Sequence, residues 1–472
     1  MMASVAMGIF LSTIDGSIVN VALPTLERVF QTSFAAVQWV VLAYLLTVTT
    51  LMLSVGRLAD MQGKKRIYLS GFAIFTLGSV LCALAWNVYA LIGFRVLQAI
   101  GAAMVMALGT AILTESFPPT ERGRALGIGG AMVSIGIVTG PTVGGLLLDA
   151  FSWHWIFLVN LPVGIAGILL GLRNLPDLRP ALRQQFDFAG AFSLFASLMG
   201  LLLALTLGQE MGYRHPLILG LLGLWLVMLA LFLWIERRAR YPMINLGMFR
   251  NAQFSTNLGT GFLVFIATAG STILVPFLLQ GVMGYDVRTV GLMMGVVPFG
   301  LGVMAPIAGA MSDRFGSRPI TVIGLAIVAV GFYSASTLNL DTGILGYVLR
   351  FLPIGIGLGT FQSPNNSAVM GAAPRENLGV ASGLLAITRT MGQVTGVAIM
   401  GAFWASRVAA HSGARVAADI TQAAPEAQLF GFQDTFVLMA LLIVVALVFA
   451  VRALLLQRQL ARQARSAPLS RL

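Results

Sequence analysis

One carboxylate stands apart in this chain. Of its 17 Asp and Glu, Asp15 lies well inside an apolar run, while the others fall in loops or near the ends of such runs. At 1.5 Å per helical residue it sits roughly 20 Å along its run, at a depth where an ionisable side chain is costly and functional by default. A carboxylate there can take up and release a proton as its surroundings open to either side, or it makes a structural hydrogen bond to Ser12 or Asn20. Three cations are also embedded: Arg95, Arg350 and Arg389. Facing lipid they would be expensive, so Arg95 is expected to face the interior and pair with a carboxylate or with backbone carbonyls. Arg389 fits a polar network. Asn20, Trp39, Tyr44 and Phe265 are candidates for lining a pocket, where aromatic faces can attract a cation or serve as packing and interfacial anchors. The histidines, His154, His215 and His411, show no metal-ligand spacing, and there is no HExxH, P-loop or nucleophile elbow. The expectation is no enzyme, no bound cofactor and no metal.

The elements that must hold these residues follow from composition. The chain has 472 residues, of which 58% are hydrophobic and 10% charged, against about 25% charged in ordinary soluble domains. Its natural solvent is a bilayer. The 53 glycines suit close helix–helix approach in lipid, and a single cysteine, Cys82, rules out an intramolecular disulfide. The net charge of +12 does not point to nucleic acid, because the basic residues lie in short loops between apolar runs rather than on one face. The first run has no basic leader and carries Asp15 and Asn20, so it is expected to be a mature helix rather than a signal peptide.

A bilayer core needs roughly 20 apolar residues per helix. On that ruler there are fourteen candidate spans, near 3–24, 36–56, 66–86, 89–112, 125–148, 153–173, 186–207, 215–234, 254–280, 289–311, 319–338, 343–366, 378–404 and 433–456. With the N-terminus inside, only Arg28, Arg214, Arg288, Arg407 and Arg415 of the 29 Lys and Arg fall in outer loops. That bias puts both termini in the cytoplasm. The chain also repeats itself. Gly56-Arg57-Leu58-Ala59-Asp60-Met61-Gln62-Gly63-Lys64-Lys65-Arg66, between spans two and three, recurs as Gly309-Ala310-Met311-Ser312-Asp313-Arg314-Phe315-Gly316-Ser317-Arg318, and Arg95 is matched by Arg350. Two related halves around a midplane site are a secondary-transporter architecture. The expected organisation is a six-helix bundle over 1–173, two inserted helices with linkers over 174–250, a second six-helix bundle over 251–456 and a basic tail over 457–472.

These motifs resemble the major facilitator superfamily, and more narrowly its fourteen-helix drug:proton antiporter branch, typified by EmrB, QacA and MdtD. The Gly56–Arg66 loop is similar to G-x-L-A-D-x-x-G-[RK]-[RK]. Arg95-Val96-Leu97-Gln98-Ala99-Ile100-Gly101-Ala102-Ala103 is similar to R-x-x-Q-G-x-G-A-A, with Ala99 in place of Gly. Gly136-Ile137-Val138-Thr139-Gly140-Pro141-Thr142-Val143-Gly144-Gly145 resembles the antiporter motif, and Ile14–Pro24 the first-span motif. Trp153–Phe157 with Asn160 and Pro162 adds a further branch-like segment, with His154 where Arg is more usual. The resemblance implies an all-α integral membrane fold of two six-helix bundles plus two inserted helices. It implies proton coupling through Asp15 and Arg95, and a conformational latch at Gly56, Asp60, Gly63, Arg66, Asp313 and Arg314. Gly136, Gly140, Pro141, Gly144 and Gly145 form the antiporter element. The implied function is export of small amphipathic, cationic compounds from a bacterial inner membrane, driven by a proton gradient; the same scaffold also suits lipids, organic anions or a dedicated metabolite. Whether a periplasmic adaptor takes part is not written in the motifs.

Overall fold

The computed structural model describes residues 2–116, 122–175, 188–212, 214–238, 246–373, 378–412 and 420–466. In lipid every backbone polar group must be satisfied within its own segment, which leaves helices as the solution for runs of this kind. The helices are α1 (Met2–Phe30), α2 (Phe34–Gln62), α3 (Lys64–Ala83), α4 (Val88–Ser116), α5 (Arg122–Ala150), α6 (Trp155–Leu158) and α7 (Asn160–Asn174). They continue with α8 (Phe188–Met211), α9 (Pro216–Arg238), α10 (Ala252–Phe277), α11 (Val287–Met294) and α12 (Val296–Phe315). The last four are α13 (Ser317–Ala335), α14 (Ile344–Ala372), α15 (Leu378–His411) and α16 (Pro425–Ser466). No strand occurs among the described residues. Twelve helical stretches among them are long and apolar enough to cross a membrane, where the sequence leads to fourteen. The two further runs are α5, with a shorter apolar stretch at Ile135–Ala150, and α15.

Three expected spans are interrupted. The span near 153–173 breaks between α6 and α7, and that near 289–311 breaks at Gly295 between α11 and α12. The span near 254–280 runs past Pro276 into a π-helical turn, Leu278–Val282, at the missing proline N–H. Asp286 caps α11 by accepting from the Thr289 hydroxyl at 2.6 Å and the Thr289 N–H at 3.0 Å, which holds its carboxyl below the usual range.

α1–α7 pack among themselves, and so do α10–α16, while α8 and α9 pair with each other and α8 touches α2 and α15. The N-terminal turn of α1 meets the start of α3 and the second half of α7, through Ser4, Tyr68, Gly167 and Gly171. Lys65 donates to the carbonyls of Leu172 and Leu175 at that same end. In the second set Arg318 joins the starts of α13 and α10 to the end of α16 through Gln253 and Ala453. This is the termini end of the molecule.

The repeated motif is not a loop. Its residues 56–62 belong to α2 and 64–66 to α3, so Gly63 alone forms the turn, at φ 100, with its N–H donating to the Ala59 carbonyl at 3.0 Å. Gly316 does the same between α12 and α13, at φ 84 and 2.8 Å to the Ser312 carbonyl. Both positions need the left-handed backbone that glycine adopts without strain. Gly56, expected to permit tight packing, has nothing within 4 Å of a Cβ built on it.

Candidate functional site

Asp15 and Arg95 meet. Both are fully buried, and Arg95 Nη1 stands 2.6 Å from Asp15 Oδ2. Small residues make the approach possible. On α3, a Cβ at Gly78 would lie 2.6 Å from Gln98 Cα, so α4 rests directly on the backbone of α3. That contact puts Ser79 Oγ 2.6 Å from Gln98 Nε2. Gln98, one turn beyond Arg95, donates to Asp15 Oδ1 at 2.8 Å and accepts from Arg95 Nη1 at 2.7 Å. Asn160, at the break between α6 and α7, gives Asp15 Oδ1 a second donor at 2.8 Å. Every group that touches Asp15 therefore donates, as an ionised carboxylate requires.

Arg95 is enclosed as completely. Its Nε donates to the Val40 carbonyl of α2 at 3.2 Å, its guanidinium lies 4.1 Å over the Tyr44 ring, and Phe157 is 5.9 Å away on another side. Isolated, either charge would be prohibitive in a low dielectric; paired and hydrogen-bonded, the two are tolerated. Four helices and the α6–α7 break thus converge on one carboxylate.

The partners named from sequence divide clearly. Ser12 donates to Gly8 and Asn20 to Gly16 within α1, so neither reaches Asp15. Tyr44 belongs to the Arg95 cage, with its buried hydroxyl unpartnered. Trp39 is partly buried against the core. Phe265 lies 5.6 Å under the guanidinium of Arg389, at a distance from the Asp15 network. Arg350, the repeat partner of Arg95, bonds Thr337 and the Gly346 carbonyl instead of an acid. Arg66 and Arg314 are exposed at the termini end, Arg314 lying 5.4 Å over the Phe315 ring. The side chains of Asp60 and Asp313 lie outside the described residues. Gln98, Ser79 and Asn160 were not singled out as site residues, yet the signal was present: amide and hydroxyl groups inside apolar runs, with Gln98 three residues from Arg95 on one helical face.

The Gly136–Gly145 segment of α5 has two packing faces. On one, Gly136, Gly140 and Gly144 receive α1: a Cβ at Gly136 would lie 2.9 Å from Thr13 Cβ, one at Gly144 2.8 Å from Ile18 Cγ1, and one at Gly140 would collide with Ser17 Oγ. Ser17 also donates across to the Gly136 carbonyl at 3.1 Å. On the other face, Gly145 meets Gly291 of α11, where a Cβ would stand 2.9 Å from Gly291 Cα, and the Pro141 carbonyl abuts the same glycine. α15 carries the same device, with Gly392 and Gly396 packed on Phe265 and Ile266 of α10.

Among the described residues, the side-chain contacts between the two helix sets lie away from the termini end. Gln38 donates to the Val397 carbonyl at 2.9 Å, Phe34 packs on Phe277 and Trp404, and Thr421 donates to Glu27 at 2.9 Å. Arg28 bonds Gln280, which donates to the Val21 carbonyl. Two repeated helix sets that meet at one end, with an ion pair buried inside the first, are the plan of a transporter, and the sequence model for the Major Facilitator Superfamily matches residues 5–397 and again 259–471. The chain belongs to the Major Facilitator Superfamily. Within it, the riboflavin transporter RibZ of Clostridioides difficile (strain 630) is 36% identical over 404 residues, covering 85% of this chain and 87% of that protein. The multidrug resistance protein Stp of Mycobacterium tuberculosis (strain ATCC 25618 / H37Rv) is 34% identical over 407 residues, covering 86% and 75%. A bacterial homologue of the human lysosomal transporter Spinster, solved inward-facing and unoccupied, superposes at a TM-score of 0.66 with 19% identity over 95% of each chain, which concerns the fold alone. As a superfamily member the protein is a multi-pass membrane transporter of small substrates, not an enzyme.

Proposed function

We propose that this transporter exports small amphipathic compounds in exchange for protons, with the Asp15–Arg95 pair as the coupling element. The observation that carries the reading is the fully buried carboxylate whose partners all donate. A proton arriving at Asp15 would remove one acceptor site and leave Arg95 without its counter-charge, so the network has to rearrange. α1 carries Asp15 and packs on the Gly136–Gly144 face of α5, whose opposite face touches the second half. A change of protonation is thereby connected to the seam between the halves, as alternating access requires.

In this reading α5 and α15 complete fourteen spans, arranged as bundles over 1–173 and 251–456 with α8 and α9 inserted. The termini end is cytoplasmic in a bacterial inner membrane, by the distribution of Lys and Arg. Contacts at the opposite end then correspond to a state open to the cytoplasm, and the Asp60 and Asp313 motifs latch the other state. The names of RibZ and Stp, one a riboflavin and one a multidrug protein, support a small organic substrate. A cation binding at Asp15, the class expected first from sequence, would have to displace Arg95. That favours the alternative class of organic anions, lipids or a dedicated metabolite.

The test is accumulation of pyrenebutyrate and of ethidium by proteoliposomes under an imposed pH gradient. Nigericin, which collapses that gradient, is expected to abolish accumulation of whichever compound is carried. Movement that continues unchanged with nigericin would replace proton exchange by facilitated diffusion.

A further inference from the structure

Arg389 is the embedded charge that the Asp15 network does not use. It lies about 16 Å from the start of α15, roughly a third of the way along that helix, and is partly buried. Its guanidinium faces the Phe265 ring at 5.6 Å, and among the described residues it has no hydrogen-bond or ion-pair partner. Arg95 shows how this chain treats a guanidinium that stays in place, with an acid, an amide, a carbonyl and two rings around it. A cation at such depth without that company is costly unless it meets a partner supplied from elsewhere.

The direction of the side chain can be read from the helix. Higher on α15, a Cβ at Gly396 would press on Ile266 of α10, and the carbonyl of Val397 is bonded by Gln38 of α2. At about 100° per residue, Arg389 lies about 20° to one side of Gly396 and about 80° from Val397, between the two directions. It therefore faces the seam between α10 and α2, which belong to different halves, on the termini side of the Gln38 contact. A second unpaired group packs on α10, the helix that carries Phe265. Asn365 of α14 is 3% exposed with its carbonyl Oδ1 unpartnered. Its Nδ2 would lie 3.5 Å from a Cβ at Gly261, one turn before Phe265 on α10.

We propose that Arg389, Asn365 and Phe265 form a subsite of the second half that takes the anionic end of an apolar or aromatic substrate, so that the carried class is amphipathic organic anions. The inference rests on the transporter reading and names its substrate class. A guanidinium and an amide N–H suit a carboxylate or sulfonate, to which arginine can present two parallel donors. The free Asn365 carbonyl takes a hydroxyl or amide hydrogen of the same substrate. Phe265 and Phe262, whose carbonyl and ring border Gly392, supply a face for an aromatic body. An ammonium compound would find Arg389 unneutralised and Asp15 already closed by Arg95.

The experiment measures equilibrium binding of two matched probes, pyrenebutyrate and pyrenebutylammonium, to the purified full chain in neutral detergent. Wild type is expected to bind the carboxylate at least about tenfold more tightly, the worth of one charge-assisted hydrogen bond. Arg389→Gln is expected to remove that preference by weakening the carboxylate without weakening the ammonium, and Arg389→Lys to retain much of it. Asn365→Ala, read independently, should weaken the carboxylate alone. A wild type that prefers the ammonium, binds neither probe, or keeps its carboxylate affinity in Arg389→Gln overturns the proposal. If Arg389→Gln does not yield monodisperse protein, unchanged carboxylate binding in Asn365→Ala does so. No gradient enters this measurement, so its failure is separate from failure of proton coupling, which nigericin reports.

Discussion

Asp15 was legible from sequence because an acid inside an apolar run has no innocuous explanation, and Arg95 for the same reason. Their pairing was one of several outcomes open to Arg95, and the cage was not visible, because Ser79, Gln98 and Asn160 come together only when α3, α4 and the α6–α7 break pack. The cage changes what substitution should do. Sequence alone suggests that Asp15→Asn relieves a costly charge, but here it would strand Arg95. Breaking a buried pair from one side costs about 3–5 kcal/mol, whereas removing both charges costs far less. Asp15→Asn and Arg95→Gln are therefore each expected to lower the unfolding midpoint in detergent sharply, and the double variant to recover much of the loss. Additive losses would mean that the two charges do not stabilise one another. All three variants are expected to lose transport driven by a pH gradient.

At the scale of elements, the helices were readable from apolar length, but the role of each glycine was not. Gly56 and Gly140 look alike in sequence, each within a motif. Gly140 sits against Ser17, and Gly56 faces open space. A side chain at Gly140 has to push α1 aside, and overpacking of this kind costs about 1–3 kcal/mol. Gly140→Val should accordingly lower the melting temperature and impair transport. Gly56→Ala should leave melting unchanged or raise it, since Ala is favoured over Gly in helices by about 1 kcal/mol. Equal effects at both positions would contradict the packing described for α5. Gly63 is a third case: its φ of 100 makes any replacement strained whatever the space.

For the whole molecule, the duplication was written in two glycine turns and two arginines, yet the halves are not chemically alike. The first encloses an acid with Arg95; the second leaves Arg350 on Thr337 and Arg389 on a ring. This asymmetry bears on energetics. Exchange of a monovalent cation for one proton moves no net charge, but export of an anion for a proton moves two charges in the same electrical sense. Each is worth about 2.3 kcal/mol per 100 mV. In proteoliposomes given both gradients, collapsing the potential with valinomycin and potassium should sharply reduce pyrenebutyrate transport. Indifference to valinomycin would indicate electroneutral exchange. Asp60→Asn belongs to this scale too. Lying at the termini end, far from the midplane, it is expected to slow cycling while leaving probe affinity unchanged, and lost affinity in a folded variant would contradict a latch role.

The contact between Gly145 and Gly291 has a mechanical consequence. It lies near one extremity of α5, where a Cβ on Gly145 would stand 2.9 Å from Gly291 Cα, so the two backbones touch with no side chain between them to resist a roll. In the proposed exchange cycle such a point would act as a fulcrum. From Gly145 back to Arg122 the helix forms an arm of about 35 Å, so a tilt of about 10° there would swing the far end through roughly 6 Å. A rearrangement around Asp15 no larger than the exchange of one hydrogen-bond partner, passed to α5 through Thr13, Ser17 and Ile18, would then reach the opposite membrane surface as an opening wide enough to admit a small molecule.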